Sequence, residues 1–270
     1  ADCRARGIHI IAIVAVAGTT DAGAIDPLAE IADIADEADA HFHVDAAWGG
    51  PLLFSESHRS RLSGIERADS VTIDGHKQLY LPLGIGLVLF RQPQFARAIE
   101  KHAHYLSRPG SADLGKRSLE GSRPGTALYL HAALNIMGRH GYAAMVDDSI
   151  RKVRHLADAI CVRPEFELLV EPDSNVILYR YLPEACRMDV LSGDLTAEQN
   201  QALNRLHERI HKAQRQAGRT YVSRTTLFNT RYGRDVPVVA FRAVVANPLT
   251  TEGDLAAVLE DQQTLAAVID

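Results

Sequence analysis

Three short segments of this 270-residue chain carry side chains that could do chemistry together: Gly18-Thr19-Thr20, Asp45-Ala46-Ala47 and Asp74-Gly75-His76-Lys77. Each ends a run of apolar residues that reads as a β-strand. In open α/β sheets ligands gather at the carboxyl ends of the strands, so these are the positions to inspect. A lysine on an apolar, glycine-flanked turn can be held neutral by desolvation, and a neutral amine can condense with a carbonyl. A nearby carboxylate can then pair with a cationic ring. Taken singly, the same residues have ordinary explanations: Asp45 as a helix-capping acid, His76 and Lys77 as solvated surface groups. Their recurrence at three strand ends is what makes a candidate site. Arg242 stands in the β-like run VVAFRAVVANP, where an unpaired charge would be costly. It either pairs with an internal acid or receives a carboxylate.

The elements that must position these groups follow from the hydrophobic pattern. Ile8 to Ala17 reads as a fully buried strand, and Asp26-Pro27 as a capping acceptor and first-turn proline opening a helix to about Ala40. His41 to Ala47, Ser70 to Asp74 and Ile85 to Arg91 read as further strands, which together predict a parallel sheet covered by helices. Pro93 to Gly125 has little periodicity and is rich in Gly, Ser, Pro and charged residues, the mark of a long loop region that is functional or mobile. A helix over 126–163, strands over 166–182, 221–227 and 236–245, and helices over 195–217 and 254–269 complete a second region. The expected division is 1–140, including the loop at 93–125, and 141–270, with the boundary near Gly141 inside the long helix. The first element is already an interior-type strand, so an N-terminal portion of the domain is expected to be absent.

Composition narrows the function. The chain is 46% hydrophobic and carries a formal charge of −5, leaving no basic stripe for a nucleic-acid backbone. Cys3, Cys161 and Cys186 are odd in number and show no C-x-x-C spacing, which argues against a disulfide framework and a zinc site and fits a reducing cytoplasm. The apolar run at 8–17 is too short for a bilayer, which takes about 20 residues, and lacks the features of a signal peptide. Small-molecule chemistry remains, with no nucleic acid, membrane or metal expected.

The segments AGTTDAGAIDP, HVDAAWGG and ADSVTIDGHKQLYLPLGIGLVLFR, with AFRAVVANPLTTEGDLAAVLEDQ near the C-terminus, resemble the group II pyridoxal 5'-phosphate (PLP)-dependent amino-acid decarboxylases. The wording DGHKQLYLPLGIG is most similar to the bacterial aspartate 1-decarboxylase and glutamate decarboxylase branch. The resemblance implies an α/β fold of PLP-dependent transferase fold type I, aspartate aminotransferase-like, with part of the large-domain sheet and a small α+β C-terminal domain. It implies that Lys77 holds PLP as an imine, that Asp45 binds the pyridine nitrogen, and that Ala47 packs on the ring. Thr20, with Asp26 nearby, would support the ring and Asp45, and His76 would lie near the phosphate or the imine. A protonated pyridinium takes up the electrons left when carbon dioxide departs, and a carboxylate keeps it protonated.

The same resemblance assigns Tyr105, in a loop, to reprotonation of the α-carbon, and Arg242 to the substrate α-carboxylate, which its bidentate fork can orient. Gly121 and Ser122 match a segment that approaches the phosphate of a neighbouring subunit, which implies a homodimer with a shared site. Members of the family are considerably longer, and the phosphate-cradling turn and stacking aromatic of their N-terminal half do not occur here. The expected reaction is decarboxylation of an acidic L-amino acid, aspartate to β-alanine or glutamate to GABA. The alternatives are another fold type I reaction, such as transamination or carbon–sulfur cleavage, and a truncated remnant without catalysis.

Overall fold

A computed structural model of the chain describes residues 2–101, 113–118, 123–228 and 230–269. It divides into two compact units, Ala1–Ala17 with Ile25–Ala143, and Gly18–Ala24 with Ala144–Asp270.

The first unit opens with the short helix α1 (Asp2–Ala5) and strand β1 (Ala12–Val16), followed by α2 (Leu28–Ala38), β2 (His41–Asp45), β3 (Ser70–Asp74) and β4 (Gly86–Phe90). The four strands form one sheet in chain order. β1, β2 and β3 are parallel, and α2 is the crossover between the first two. α2 contacts both strands and, of the apolar face Leu28, Ile31, Ala32, Ile34 and Ala35 expected from the spacing, buries Leu28, Ala32 and Ala35 and leaves Ile34 exposed. Asp39, in the left-handed conformation at φ 51°, ends it.

Three expectations are corrected here. β4 runs antiparallel to β3, because only residues 75–85 connect the two and they are spent on turns rather than on a crossover helix. β1 is not a fully buried strand: Ala15 and Ala17 are buried, but Ile11 is 80% and Val14 59% exposed. Among the described residues it is an edge strand, paired only with β2. Asp26 does not cap α2, whose N-cap is Pro27 without a side-chain bond. Its carboxylate instead accepts the Val16 N–H at 2.7 Å, closing the end of β1.

The long helix α3 (Ala127–Cys161) is interrupted at Gly138, whose φ of 60° only glycine adopts readily. In the region expected to be an irregular loop, Pro93–Ile99 and Leu114–Arg117 form 3-10 turns.

In the second unit, β5 (Phe166–Val170), β6 (Val176–Tyr181), β7 (Ser223–Leu227) and β8 (Val238–Val244) make an antiparallel sheet in the order β5-β6-β8-β7. The stretch expected as strand over 166–182 is therefore two strands, broken by the turn-forming residues Pro172, Asp173 and Ser174. α4 (Glu184–Ser192), which the sequence pattern did not suggest, precedes α5 (Ala197–Ala217) and α6 (Glu252–Ile269). Thr196 and Gln199 cap α5 reciprocally. Val153, Leu156 and Ile160 of α3, Leu206 and Ile210 of α5, and Leu255 and Leu259 of α6 cover one sheet face, where Ile177, Tyr179 and Phe241 point.

Two polar groups are locked into this core. Arg180 on β6 is fully buried; its Nε donates to Glu167 at 2.5 Å, its Nη1 to Asn200 at 3.2 Å, and Tyr232 lies over its guanidinium. His207 of α5 accepts the Tyr181 N–H at 2.8 Å through Nε2 and donates from Nδ1 to the Leu203 carbonyl, bolting α5 to β6. Burial pushes His207 down from 6.5 to about 3, with Arg180 adding to the effect. Since the unfolded histidine takes up a proton at 6.5, stability is full above that pH and falls as the pH drops toward 3. Urea unfolding at pH 5 is expected to show about 2 kcal/mol less stability from this group than at pH 7, a loss absent from His207→Gln. Glu167→Gln, which strips Arg180 of its counter-charge, is expected to cost about 3–5 kcal/mol in the same assay, and Arg180→Met in that background to restore most of it.

Candidate active site at the carboxyl end of the parallel strands

Asp45 is the last residue of β2 and pairs with Thr72 of β3. Side chains alternate along a strand, so His41, His43 and Asp45 share one face with Ser70, Thr72 and Asp74 of the neighbouring strand. The opposite face carries the buried Phe42 and Val44. Lys77 follows Asp74 by three residues, and its Nζ lies 2.9 Å from Asp74 Oδ2. The ammonium is thus drawn toward the face that displays the Asp45 carboxylate. His76 donates from Nδ1 to the Ile85 carbonyl at 3.2 Å, which turns its Nε2 toward Asp74 at 3.9 Å.

The turns bearing these groups are held from several directions. After β2, Ala47 N–H donates to Asp45 Oδ1 at 3.0 Å and Gly49 N–H to the Ala17 carbonyl at 2.9 Å. A Cβ on Gly49 would stand 2.5 Å from that carbonyl oxygen, so the approach requires glycine. After β3, Gly75 N–H bonds to the Ile85 carbonyl and Leu81 N–H to the Gly75 carbonyl. Gln78 ties the two turns together, donating to the Trp48 carbonyl at 2.9 Å. Beneath them Leu79, Leu81, Ile85 and Tyr142 form an apolar cluster, and the Tyr142 hydroxyl donates to the Leu79 carbonyl.

The electrostatics favour a cationic ligand at Asp45. Its Oδ1 is engaged by Ala47, while its Oδ2 has no hydrogen-bond partner among the described residues. His43, two residues before it, shares hydrogen bonds with Ser70 Oγ at 2.7 Å and Thr72 Oγ1 at 3.3 Å. Burial holds His43 below its ordinary value, against the opposing pull of Asp45. An amine and a half-engaged carboxylate on one sheet face suit an aromatic aldehyde with a basic ring nitrogen.

Asp45, Ala47, His76 and Lys77 therefore lie at the same end of the first sheet. Thr20 is exposed on the turn Gly18–Ala24, which belongs to the second unit, as does Arg242 on β8. Arg242 is half-buried, makes no ion pair among the described residues, and lines a cavity of about 560 Å³ with Arg219, Tyr221 and Asp254. Tyr105, Gly121 and Ser122 lie outside the described residues. The sequence reading gave no role to Asp74, His43 or Gln78. The D-x-x-K spacing could have flagged Asp74, because two turn residues bring an acid and a lysine within reach. Among the described residues no group of His, Cys, Asp and Glu could hold a metal ion, and no helix is long and apolar enough to cross a membrane.

Known proteins resemble this chain in sequence and in fold. The pyridoxal-dependent decarboxylase conserved domain matches residues 1–182. The chain is 44% identical to an aspartate 1-decarboxylase of Aliivibrio fischeri over 99% of its own length and 49% of the relative's. It is 37% identical to an L-2,4-diaminobutyrate decarboxylase of Acinetobacter baumannii over 68% of this chain and 37% of that one. The crystal structure of mouse CSAD in apo form superposes with a TM-score of 0.85 at 28% identity, covering 98% of this chain and 54% of the other. The chain spans about half the length of the first of these relatives, and its architecture is that of part of PLP-dependent fold type I. With its lysine-bearing turn, its carboxylate at the neighbouring strand end and these matches, the chain belongs to the pyridoxal-dependent decarboxylase family.

Proposed function

We propose that this chain supplies the lysine-bearing part of a PLP-dependent carboxy-lyase that decarboxylates an acidic L-amino acid, with aspartate, yielding β-alanine, ahead of glutamate, yielding GABA. The observation that supports the reading is that Asp45 ends β2 on the face that also carries Asp74 at the end of the parallel β3, and that Asp74 holds the Lys77 ammonium at 2.9 Å. The 44% identity to an aspartate 1-decarboxylase across nearly the whole chain supports aspartate as substrate.

When bound, PLP supplies an electron sink conjugated to the substrate's α-carbon. Lys77 would anchor it covalently, and Asp74, 2.9 Å from the Lys77 Nζ, holds that side chain toward the displayed face. Asp45 would favour a proton on the ring nitrogen through its charge. Ala47 is small enough to let a planar ring approach, Thr20 would steady the ring, and His76 would lie near the phosphate or the Lys77 attachment. Arg242 takes the substrate α-carboxylate and sets the angle of the bond to be broken. Tyr105 returns a proton to the α-carbon. Gly121 and Ser122 are assigned to the phosphate of a second copy in a cytoplasmic homodimer with shared sites. The chain spans about half the length of its first relative, and the activity is proposed for the whole protein.

Borohydride reduction of the PLP-treated protein, followed by peptide mapping, is expected to place the label on Lys77 and to lose it in Lys77→Ala. Label distributed over other lysines would overturn the assignment. In the active assembly, Tyr105→Phe is expected to lower product formation by about 10²-fold or more while the cofactor's visible absorbance persists. Unchanged turnover would remove that role.

A further inference from the structure

Arg242 is held from behind by the turn Gly18–Ala24. Its Nε donates to the main-chain carbonyl of Asp21 at 3.0 Å, and its Nη1 reaches Ser223 Oγ only at the long distance of 3.5 Å. Nη2 has no partner among the described residues. The Ser223 hydroxyl is itself committed to the Arg242 carbonyl at 2.8 Å. Asp21 is the acid that acts on Arg242, yet its carboxylate makes no ion pair with the guanidinium; its Oδ1 accepts from Thr225 Oγ1 at 2.6 Å.

The turn cannot slide. The Gly18 and Thr19 N–H groups both donate to the Ala24 carbonyl, the Gly23 N–H donates to the Thr19 carbonyl at 2.8 Å, and Thr19 Oγ1 accepts the Ala24 N–H. Gly23, at φ 67°, sits so close to β6 that a Cβ there would meet Ser174 Oγ at 2.1 Å and the Val176 Cβ at 2.8 Å. The turn's own hydrogen bonds and the Thr225 anchor thus fix the Asp21 carbonyl together.

We infer that Asp21 is a positioning residue: anchored by Thr225, it occupies the Nε of Arg242 and leaves the Nη1–Nη2 end of the guanidinium as the edge that receives a carboxylate. A guanidinium can grip a carboxylate side-on, through Nε and one Nη, or end-on, through both Nη groups. With Nε taken, only the end-on grip remains. The carboxylate therefore arrives along the long axis of the side chain, and its plane is set by β8 and the turn. Thr20 immediately precedes Asp21, so the same anchor holds the residue assigned to the ring. The chemical meaning of this device rests on the assignment of Arg242 to the substrate carboxylate.

The test reads the Arg242 Nε–H directly, by ¹⁵N NMR, with the signal assigned through its loss in Arg242→Lys. Hydrogen exchange at this group is expected to accelerate about tenfold or more in Thr225→Val and Asp21→Ala, the equivalent of losing one hydrogen bond. Asp21→Asn, whose side-chain oxygen can still accept from Thr225, is expected to restore exchange to within about twofold of the parent. Thr225→Val keeps the β-branched shape and guards against misfolding of the alanine variant. Exchange in Thr225→Val equal to that of the parent, or failure of Asp21→Asn to restore it, would overturn the proposal. The measurement involves no cofactor, so an absence of label on Lys77 would count against the proposed function and leave this result to stand by itself.

Discussion

The parallel pairing of β2 with β3 is the constraint on which the chemistry depends. Asp45 opposite Thr72 fixes both the height and the face at which the carboxylate emerges, and Asp74, two residues beyond Thr72, emerges on that same face. A slip of one residue would send Asp45 to the buried side with Phe42 and Val44, where a charge has no partner. The alternation of apolar and polar residues along these strands therefore secures the register that function needs. Asp74 then does what a free lysine side chain cannot do for itself, recruiting the ammonium of Lys77 to the displayed face.

Two arginines in the second sheet illustrate how the same side chain is made structural or available. Arg180 is fully buried and held by Glu167 at Nε, Asn200 at Nη1 and the face of Tyr232, with Arg231 sharing the Glu167 carboxylate and Nη2 left without a hydrogen-bond partner among the described residues. Breaking that set leaves an uncompensated buried charge, so Arg180 is committed to the fold. Arg242, on the adjacent strand, is given a main-chain carbonyl and a long contact to a hydroxyl but no carboxylate partner among the described residues. Burial lowers its pKa while Asp21 opposes the shift. A half-buried guanidinium left without an ion pair is an arrangement that suits an incoming anion.

Much of this was readable from residue types and spacing. The strand-end clusters at Asp45 and Lys77 were legible because a polar group breaking an apolar run marks where a strand leaves its sheet, and the apolar spacing Leu28, Ile31, Ala32, Ile34 and Ala35 announced α2 by its period, although Ile34 lies exposed. Other features depend on partners that are distant in sequence. Asp26 before Pro27 has the local signature of a helix cap, but the end of β1 competes for the same carboxylate and prevails through the Val16 N–H. The run from Ile8 to Ala17 gives no sign of which neighbours flank it, so its exposure at Ile11 and Val14 could not be foreseen. His43 looks like an ordinary strand residue until Ser70 and Thr72 are brought alongside. The turn Gly18–Ala24 reads as a strand end of the first unit, whereas its tight seat against Ser174 and Val176 belongs to the second.

The central claim is that one ring spans the amine of Lys77 and the carboxylate of Asp45. It is tested most directly by ¹⁵N NMR of the protein loaded with PLP labelled at the pyridine nitrogen. The account predicts a protonated nitrogen signal in the parent that moves to the unprotonated position in Asp45→Asn. A nitrogen that is unprotonated in the parent, or whose signal is indifferent to the substitution, would contradict it.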